Sequence, residues 1–257
     1  MRTIPQNQFS SSKNSDRPKR TRNFRFFLPL TAVILFLGIG AIFLRHQIAR
    51  ADIPEELIEF GEKYPEAQDF VKNYPTKKDK HYIIDLESEL KEGTIPLFIQ
   101  WDERWGYESY GTNLVGIAGC GPTCLSMIYS GLTGDTSLNP LEMANFSNSN
   151  NYYISGQGTS WNLMTEGAQT LGLTVENGSV DADYILNNLT ESSPMICSMY
   201  PGDFTYTGHF IVLTGIDSEG NIMVNDPNSN INSEKHWTIE EILPQIRNIW
   251  KYTKVSP

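Results

Sequence analysis

The sequence predicts an α+β domain that is preceded by one strongly apolar helix. Helical signals occupy the middle of the 257-residue chain, whereas strand-like segments fill its last third. Because helices and strands are grouped rather than alternating, the pattern favours an α+β fold over a wound parallel sheet. The apolar helix is predicted from a single uncharged run close to the N-terminus.

The uncharged run, residues 26–44, reads FFLPLTAVILFLGIGAIFL and has nineteen residues. A helix needs about 20 residues to cross the core of a bilayer, so this length predicts a transmembrane helix. Seven Lys and Arg residues precede the run within residues 1–25, and only Arg45 and Arg50 follow it before the acidic residues begin. The positive-inside rule then places residues 1–25, a basic tail, in the cytoplasm and the remainder of the chain outside.

Two other interpretations of residues 26–44 are open. Ala49-Arg50-Ala51 resembles a small-x-small cleavage site, which would make the run part of a cleaved signal peptide. The run is longer than the roughly 7–15 apolar residues usual in a signal peptide, and a buried core helix would not need the basic flank. We therefore expect a single-pass signal-anchor that holds the protein in the cell membrane by contact with the lipid bilayer.

The remainder of the chain is strongly acidic. Residues 51–257 hold 11 basic and 29 acidic residues, so their formal net charge is 11 minus 29, or −18. Such a surface repels phosphate, and we expect no nucleic-acid partner. Three cysteines are too few for a disulfide framework, and their number is odd. The four histidines are far apart, and none forms a helical metal pair with another, so we expect neither a metal nor a cofactor.

Residues 45–93 are predicted to form a helical stalk and linker. Apolar residues recur in steps of three and four over residues 52–75, which indicates helical structure. Pro65 interrupts this stripe, and proline is well tolerated in the first turn of a helix. Two short helices, over roughly 54–63 and 65–73, are therefore expected. Their apolar face either packs on the globular domain or serves as a partner-binding or autoinhibitory segment.

The globular domain is expected over residues 94–257. Apolar runs bounded by turn residues predict strands, glycines end helices, and Asp or Thr side chains cap them. The expected helices lie at Pro122–Ser130 (ended by Gly131), near 140–147, near 160–171 (ended by Gly172), near 182–189 (capped by Asp181) and after the capping box of Thr238 and Glu241. The expected strands are Ile95–Gln100, Met195–Met199, His209–Ile216, Asn221–Asn225 and Ile249–Tyr252.

Cys120 lies in the block GCGPT at residues 119–123, at the start of a predicted helix. A cysteine is a good nucleophile only as its thiolate, which a helix N-terminus or a cationic histidine favours. Pro122 suits the first helical position, so the partial positive charge of the helix end points back at the sulfur. The alternative for Cys120 is a small buried cysteine at a helix start. We expect Cys124 and Cys197 to occupy core positions.

A nucleophilic cysteine needs a base, and His209 is the candidate because it opens a buried strand next to a turn. If Asp217 pairs with Gly220 across a two-residue loop, Asp226 faces Ile211 and lies on the same face as His209. Asp226 would then hold one ring nitrogen and stabilise the imidazolium. A one-residue change of register would turn Asp226 to the opposite face. The alternative is a histidine whose ring makes only structural hydrogen bonds inside a hairpin.

The oxyanion that develops when a thiolate attacks an acyl group needs hydrogen-bond donors. The backbone N–H of Cys120 supplies one, and a side-chain amide commonly supplies the other. Gln100, at the end of its predicted strand and 20 residues before Cys120, is the candidate. The alternative is that the amide of Gln100 makes only ordinary hydrogen bonds at the end of the strand. From their positions, the loops 200–208 and 156–160 are expected to form two walls of the cleft.

The blocks follow in the order Gln100-Trp-Asp, Gly119–Thr123, Gly208-His209-Phe and Asn225-Asp226-Pro227. This order resembles the C39-like family of cysteine peptidases, with the closer match to stand-alone C39-type proteins of Gram-positive bacteria, over about residues 94–252. The resemblance implies a papain-like fold, in which the helix with the cysteine packs on an antiparallel sheet with the histidine and aspartate. It also implies a triad of Cys120, His209 and Asp226, with Gln100 at the oxyanion hole.

We therefore expect an extracytoplasmic cysteine peptidase whose substrate is a peptide or protein at the cell surface. Family members fused to an exporter cleave leader peptides on the cytoplasmic side, a role that the predicted external position of this domain does not fit. Two alternatives stay open: a peptidoglycan amidase or transpeptidase with the same triad, and a catalytically silent surface binding module. The binding module would use the aromatic residues Trp101, Trp105, Tyr152, Tyr153 and Trp161.

Overall fold

The structure is a computed structural model, which describes residue 39 and residues 52–254. Residues 49–257 form a compact unit by themselves. The basic tail and, apart from Ile39, the predicted transmembrane segment 26–44 lie outside the described residues. Within the described residues, no helix is both long and apolar enough to cross a membrane.

The compact unit combines short helices with one main antiparallel sheet. The helices are α1 (Glu55–Lys63), α2 (Gln68–Lys77), α3 (Val115–Ala118), α4 (Cys120–Thr133), α5 (Pro140–Ser149), α6 (Glu166–Thr170), α7 (Ala182–Asn188), α8 (Asn230–Glu234) and α9 (Ile239–Ile242). Two small hairpins pair β1 (Ser109–Tyr110) with β2 (Asn113–Leu114) and β3 (Tyr153–Ile154) with β4 (Gly158–Thr159). The main sheet contains β5 (Leu173–Gly178), β6 (Met195–Met199), β7 (His209–Ile216), β8 (Ile222–Asn225) and β9 (Ile246–Lys254) in the order β5-β9-β6-β7-β8. Every neighbouring pair is antiparallel, and this mixed arrangement confirms the α+β prediction.

The main sheet is covered on both faces, which explains the nearly continuous apolar sequences of β6 and β7. Successive strand residues alternate between the faces. Ile196 and Phe210 therefore join the core that contains Cys124 of α4, whereas Cys197 and Ile211 join the core on the other face. The thiols of Cys124 and Cys197 are both fully buried, as predicted.

Helix α4 is longer than the sequence predicts at both of its ends. It starts at Cys120 and ends at Thr133, and the capping residue Gly134 adopts a left-handed conformation with φ +76°. The predicted end at Gly131 is wrong, because this glycine serves close packing inside the helix. A Cβ at Gly131 would lie 2.5 Å from Ile95 Cδ1 and 3.0 Å from the Cα of the same residue.

The segment Ile95–Gln100 is buried for most of its length, but it is not the predicted strand. Pro96 has no N–H to donate to a neighbouring strand. Its carbonyl oxygen accepts a hydrogen bond from the side chain of Asn225 at 2.9 Å. The N–H of Gln100 donates to the carbonyl oxygen of Pro227 at 2.7 Å. Hydrogen bonds to the end of β8 and the loop after it therefore replace a strand pairing.

The chain between residues 160 and 178 also departs from the prediction. The helix expected near 160–171 is divided into a 3-10 turn, Trp161–Leu163, and the short helix α6. Strand β5 follows and was not predicted. It is an edge strand that pairs only with β9, and half of its residues are exposed, so it lacks the apolar pattern of the central strands.

The β7–β8 hairpin differs from the predicted one at two places that compensate each other. The N–H of Asp217 donates to the carbonyl oxygen of Asn221 at 2.9 Å, so the loop is one residue longer than expected. A bulge in β7 leaves Thr214 without a partner on β8, and this compensates for the longer loop. Beyond the bulge, Val212 pairs with Asn225, which is the predicted register.

The N-terminal segment contains two helices, as predicted, and they pack on the domain. Leu57 and Phe60 of α1 and Phe70 of α2 are buried in a cluster with Tyr107. The rings of Phe70 and Tyr107 stack with centroids 4.3 Å apart, and the Tyr107 hydroxyl donates to the carbonyl oxygen of Phe70 at 2.7 Å. The packed face agrees with the first of the two interpretations of the apolar stripe.

Replacing Leu57 with alanine tests whether α1 belongs to the cooperative fold. Because Leu57 is fully buried, Leu57→Ala should lower the free energy of unfolding by about 2–5 kcal/mol. Glu62 is exposed on the same helix, so Glu62→Ala should change it by less than about 0.5 kcal/mol. Urea unfolding of both variants measures the difference, and equal stabilities would show that α1 contributes no cooperative packing.

Candidate active site

Cys120 is the first residue of α4, and its free thiol is half-buried. The first N–H groups of a helix lack intrahelical acceptors, so this position faces the positive end of the helix dipole. Gly121 allows β4 to approach, because a Cβ at this residue would lie 2.6 Å from Thr159 Oγ1. The helix therefore presents the thiol at its N-terminus, beside a close-packed hairpin.

His209 and Asp226 form a buried pair at the end of the β7–β8 hairpin. His209 is the first residue of β7, and Asp226 follows the last residue of β8. Nε2 of His209 and Oδ1 of Asp226 are 2.7 Å apart, and the two residues are 7% and 0% exposed. The register beyond the Thr214 bulge brings the two side chains to one place, as the sequence predicts.

The surroundings of His209 favour its protonated form. Burial lowers the pKa of the imidazole, but the negative charge of Asp226 and its hydrogen bond raise it by more. The nearby Cys120 thiol adds to the rise, and the pKa of His209 reaches about 10. Since Nε2 is engaged with Asp226, Nδ1 is the ring nitrogen left for the thiol. An imidazolium beside Cys120 is the partner that a thiolate requires.

The carboxylate of Asp226 is held by the loop that follows it, which sequence reasoning did not identify. The N–H of Asn228 donates to Oδ1 at 2.8 Å, and Nδ2 of Asn232 donates to Oδ2 at 2.8 Å. The N–H of Asp226 donates to Ser233 Oγ at 2.9 Å. The run of Asn and Ser residues after Asp226-Pro227 was the available signal, because such side chains bind nearby backbone and carboxylate groups.

Gln100 reaches the same site, in a cavity of about 270 Å³ that also contains Cys120 and His209. Its side chain is 2% exposed, and Nε2 donates to the carbonyl oxygen of Gly116 at 2.9 Å and, less favourably, to that of Ile117 at 3.4 Å. Its Oε1 is buried and has no partner among the described residues. The structure thus brings all four predicted site residues together.

A second cavity, of about 760 Å³, also contains Cys120 and His209. Residues 155–159 and residues 207–208 line it, so both predicted cleft walls lie beside the cysteine. The structure adds a wall that the sequence did not indicate: Glu56, Phe60 and Tyr64 at the N-terminal helices line one or both of the two cavities. Cys120 therefore lines two adjoining cavities that share part of their walls.

One further cavity does not contribute to the site, whereas two of the aromatic residues proposed for a binding surface, Tyr153 and Trp161, line the cavity of about 760 Å³. A larger cavity of about 990 Å³ lies elsewhere, and none of the four predicted site residues lines it. The aromatic residues proposed for a binding surface are mostly packed against the cores. Trp105 is fully buried, and Trp161, at 38%, is the most exposed of them.

A helix that begins with a cysteine and packs on an antiparallel sheet with a histidine and an aspartate is consistent with a papain-like fold. The model of the Peptidase_C39 like family matches residues 93–256, which is more than half of the chain. The chain therefore belongs to this family, and its membership supports a peptidase. Among curated proteins, none matches the chain. Helices α1 and α2 lie outside the matched region.

The raised pKa of His209 predicts a loss of stability as the pH rises from about 6.5 to about 10. Over this range the folded protein keeps the proton that the unfolded chain releases, so the free energy of unfolding falls. Asp226→Asn removes the charge that raises the pKa and should flatten this dependence. Urea unfolding of both proteins between pH 6 and 10 measures the slopes. Parallel curves would exclude Asp226 as the group that sets the proton affinity of His209.

Proposed function

We propose that the chain is a membrane-anchored, extracytoplasmic cysteine peptidase that hydrolyses peptide bonds through a triad of Cys120, His209 and Asp226. The observation that carries the proposal is the position of the Cys120 thiol, at a helix N-terminus and in the same cavity as the buried His209, which is bonded to Asp226. The family supports the reaction class. The charge pattern around residues 26–44 supports the anchor and the external position.

In the proposed reaction, the thiolate of Cys120 attacks the carbonyl carbon of the scissile peptide bond. The imidazolium of His209 gives its proton to the leaving nitrogen, the C–N bond breaks, and a thioester with Cys120 remains. The neutral imidazole then takes a proton from water as the water oxygen attacks the thioester. The carbon–sulfur bond breaks, the acid product leaves, and the thiolate–imidazolium pair is restored. Asp226 orients the ring and stabilises its charge throughout.

The oxyanion of each tetrahedral intermediate is assigned to two donors, the backbone N–H of Cys120 and Nε2 of Gln100. The amide group of Gln100 has two N–H bonds, and one of them is used well by the carbonyl oxygen of Gly116. The other makes only the 3.4 Å contact with Ile117, so exchanging this contact for an oxyanion costs little. The buried surroundings strengthen the bond that replaces it.

The substrate is expected to be an extended peptide, because two adjoining cavities meet at Cys120. Glu56 of α1 borders both of them, and the β3–β4 hairpin and Trp161 border the larger one. A chain that crosses the thiol can place side chains in both spaces. A peptide or protein at the outer surface of the membrane meets this description and the position of the domain that we propose.

Alkylation of the full-length chain with iodoacetamide at pH 6, followed by peptide mapping, tests the activated thiol. Cys120 should react much faster than an ordinary cysteine, and His209→Ala should remove the advantage because the imidazolium is lost. Burial raises the pKa of the Cys124 and Cys197 thiols, so these residues should stay unlabelled and serve as internal controls. Slow labelling of Cys120, or labelling centred on the two buried cysteines, would refute the triad.

Incubation with a library of unstructured peptides tests the reaction itself. The wild type should release fragments whose new carboxyl ends are free acids, and Cys120→Ala should release none. Gln100→Ala should lower kcat by about 10²–10³-fold if Nε2 binds the oxyanion, with a smaller effect on KM. Amide transfer products without free acids would assign the site to a transpeptidase instead.

A further inference from the structure

The connection between α1 and α2 contacts the loop that holds Asp226. One carboxylate oxygen of Glu66 accepts a hydrogen bond from Ser229 Oγ. The other accepts the backbone N–H of Asn230 at 2.9 Å and that of Ile231 at 3.2 Å. Glu66 therefore satisfies three donors at the start of α8, in a part of the chain that lies 163 residues further along.

These contacts continue to the candidate active site. Oγ of Ser229 also accepts the N–H of Asn232 at 3.0 Å. The side chain of Asn232 donates to Oδ2 of Asp226, whose Oδ1 is bonded to His209. Hydrogen bonds through Ser229, Asn232 and Asp226 thus connect Glu66 with the histidine.

We propose that Glu66 is a positioning residue, which orders the loop after β8 and thereby holds Asp226 against His209. The inference rests on the proposed function, since it concerns the same histidine. It assigns the N-terminal helices a role in the site, although they lie outside the region matched by the family. A segment that only spaced the domain from a membrane would not need a carboxylate at this loop.

Two charged or titratable groups, Asp226 and Cys120, act directly on His209 and raise its pKa. The others line the two cavities that contain His209: Glu56, Glu59, Lys63, Tyr64, Tyr153, Tyr206 and Arg247. Tyr64 lies next to Pro65 and Glu66, and its ring centroid is 6.1 Å from that of Tyr206. A substitution at Glu66 leaves all of these groups in the chain. A change in the pKa of His209 would therefore report their placement, or the lost charge of Glu66.

The test is an NMR titration of the His209 imidazole in the full-length chain. Glu66→Ala should lower the pKa of His209 by about one unit, which is a roughly tenfold weaker affinity for the proton, because Asp226 is no longer held. Glu66→Gln should keep the wild-type value, since its amide oxygen can accept the two N–H groups and its NH₂ can donate to Ser229 Oγ. Glu62→Ala removes an exposed charge from α1 and should change nothing.

Each other outcome has a definite meaning. An unchanged pKa in Glu66→Ala would overturn the inference. Equal decreases in Glu66→Ala and Glu66→Gln would also overturn it, because the effect would then come from charge alone. If Glu66→Ala does not fold, Ser229→Ala interrupts the same series of hydrogen bonds and should lower the pKa in the same direction, whereas an unchanged value would again refute the inference.

The titration does not depend on catalysis, so it separates this inference from the proposed function. An inert Cys120 in the wild type, together with a lowered pKa in Glu66→Ala, would leave the positioning role and dismiss the peptidase. An activated Cys120 with no effect of Glu66→Ala would leave the peptidase and dismiss the positioning role.

Discussion

The hydrogen bond between His209 and Asp226 imposes conditions that much of the fold has to meet. Both residues are almost completely buried, so burying either side chain without the other would cost free energy of folding. Their pairing requires the correct register of β7 and β8, and this register depends on the turn at residues 217–221 and on the bulge at Thr214. The loop after β8 must also supply donors for the carboxylate. A deep core on both faces of the sheet keeps these elements in place.

The other half of the site comes from a different kind of element. Cys120 is placed by a helix, whose position is set by the apolar face that packs on β7 and β9. The thiol of Cys124, one turn further along, donates to the carbonyl oxygen of Phe210 at 3.3 Å, directly after His209. Cys120 and His209 are therefore joined through a direct contact between α4 and β7. The distance between them does not depend on a flexible loop.

Much of this could be read from the sequence, because the relevant signals are local. Short apolar runs separated by turn residues indicate the β7–β8 hairpin, and Gly-Cys-Gly-Pro indicates a helix start. Other features have no local signal. Gly131 resembles a helix end until the packing of Ile95 against it is seen. The bonds of Gln100 to α3, and the contact of Glu66 with Ser229, join parts of the chain that no pattern of neighbouring residues connects.

The compensation in the β7–β8 hairpin constrains how this protein can vary in length. A loop one residue longer is tolerated because Thr214 is excluded from the pairing, and the sum of the two changes leaves Asp226 on the correct face. An insertion or deletion within either strand is therefore compatible with the His209–Asp226 pair only when the loop or a bulge absorbs it. A change confined to the loop leaves the pairing of Val212 with Asn225 unaltered. The hairpin can thus vary in length at its tip, while its far end stays fixed.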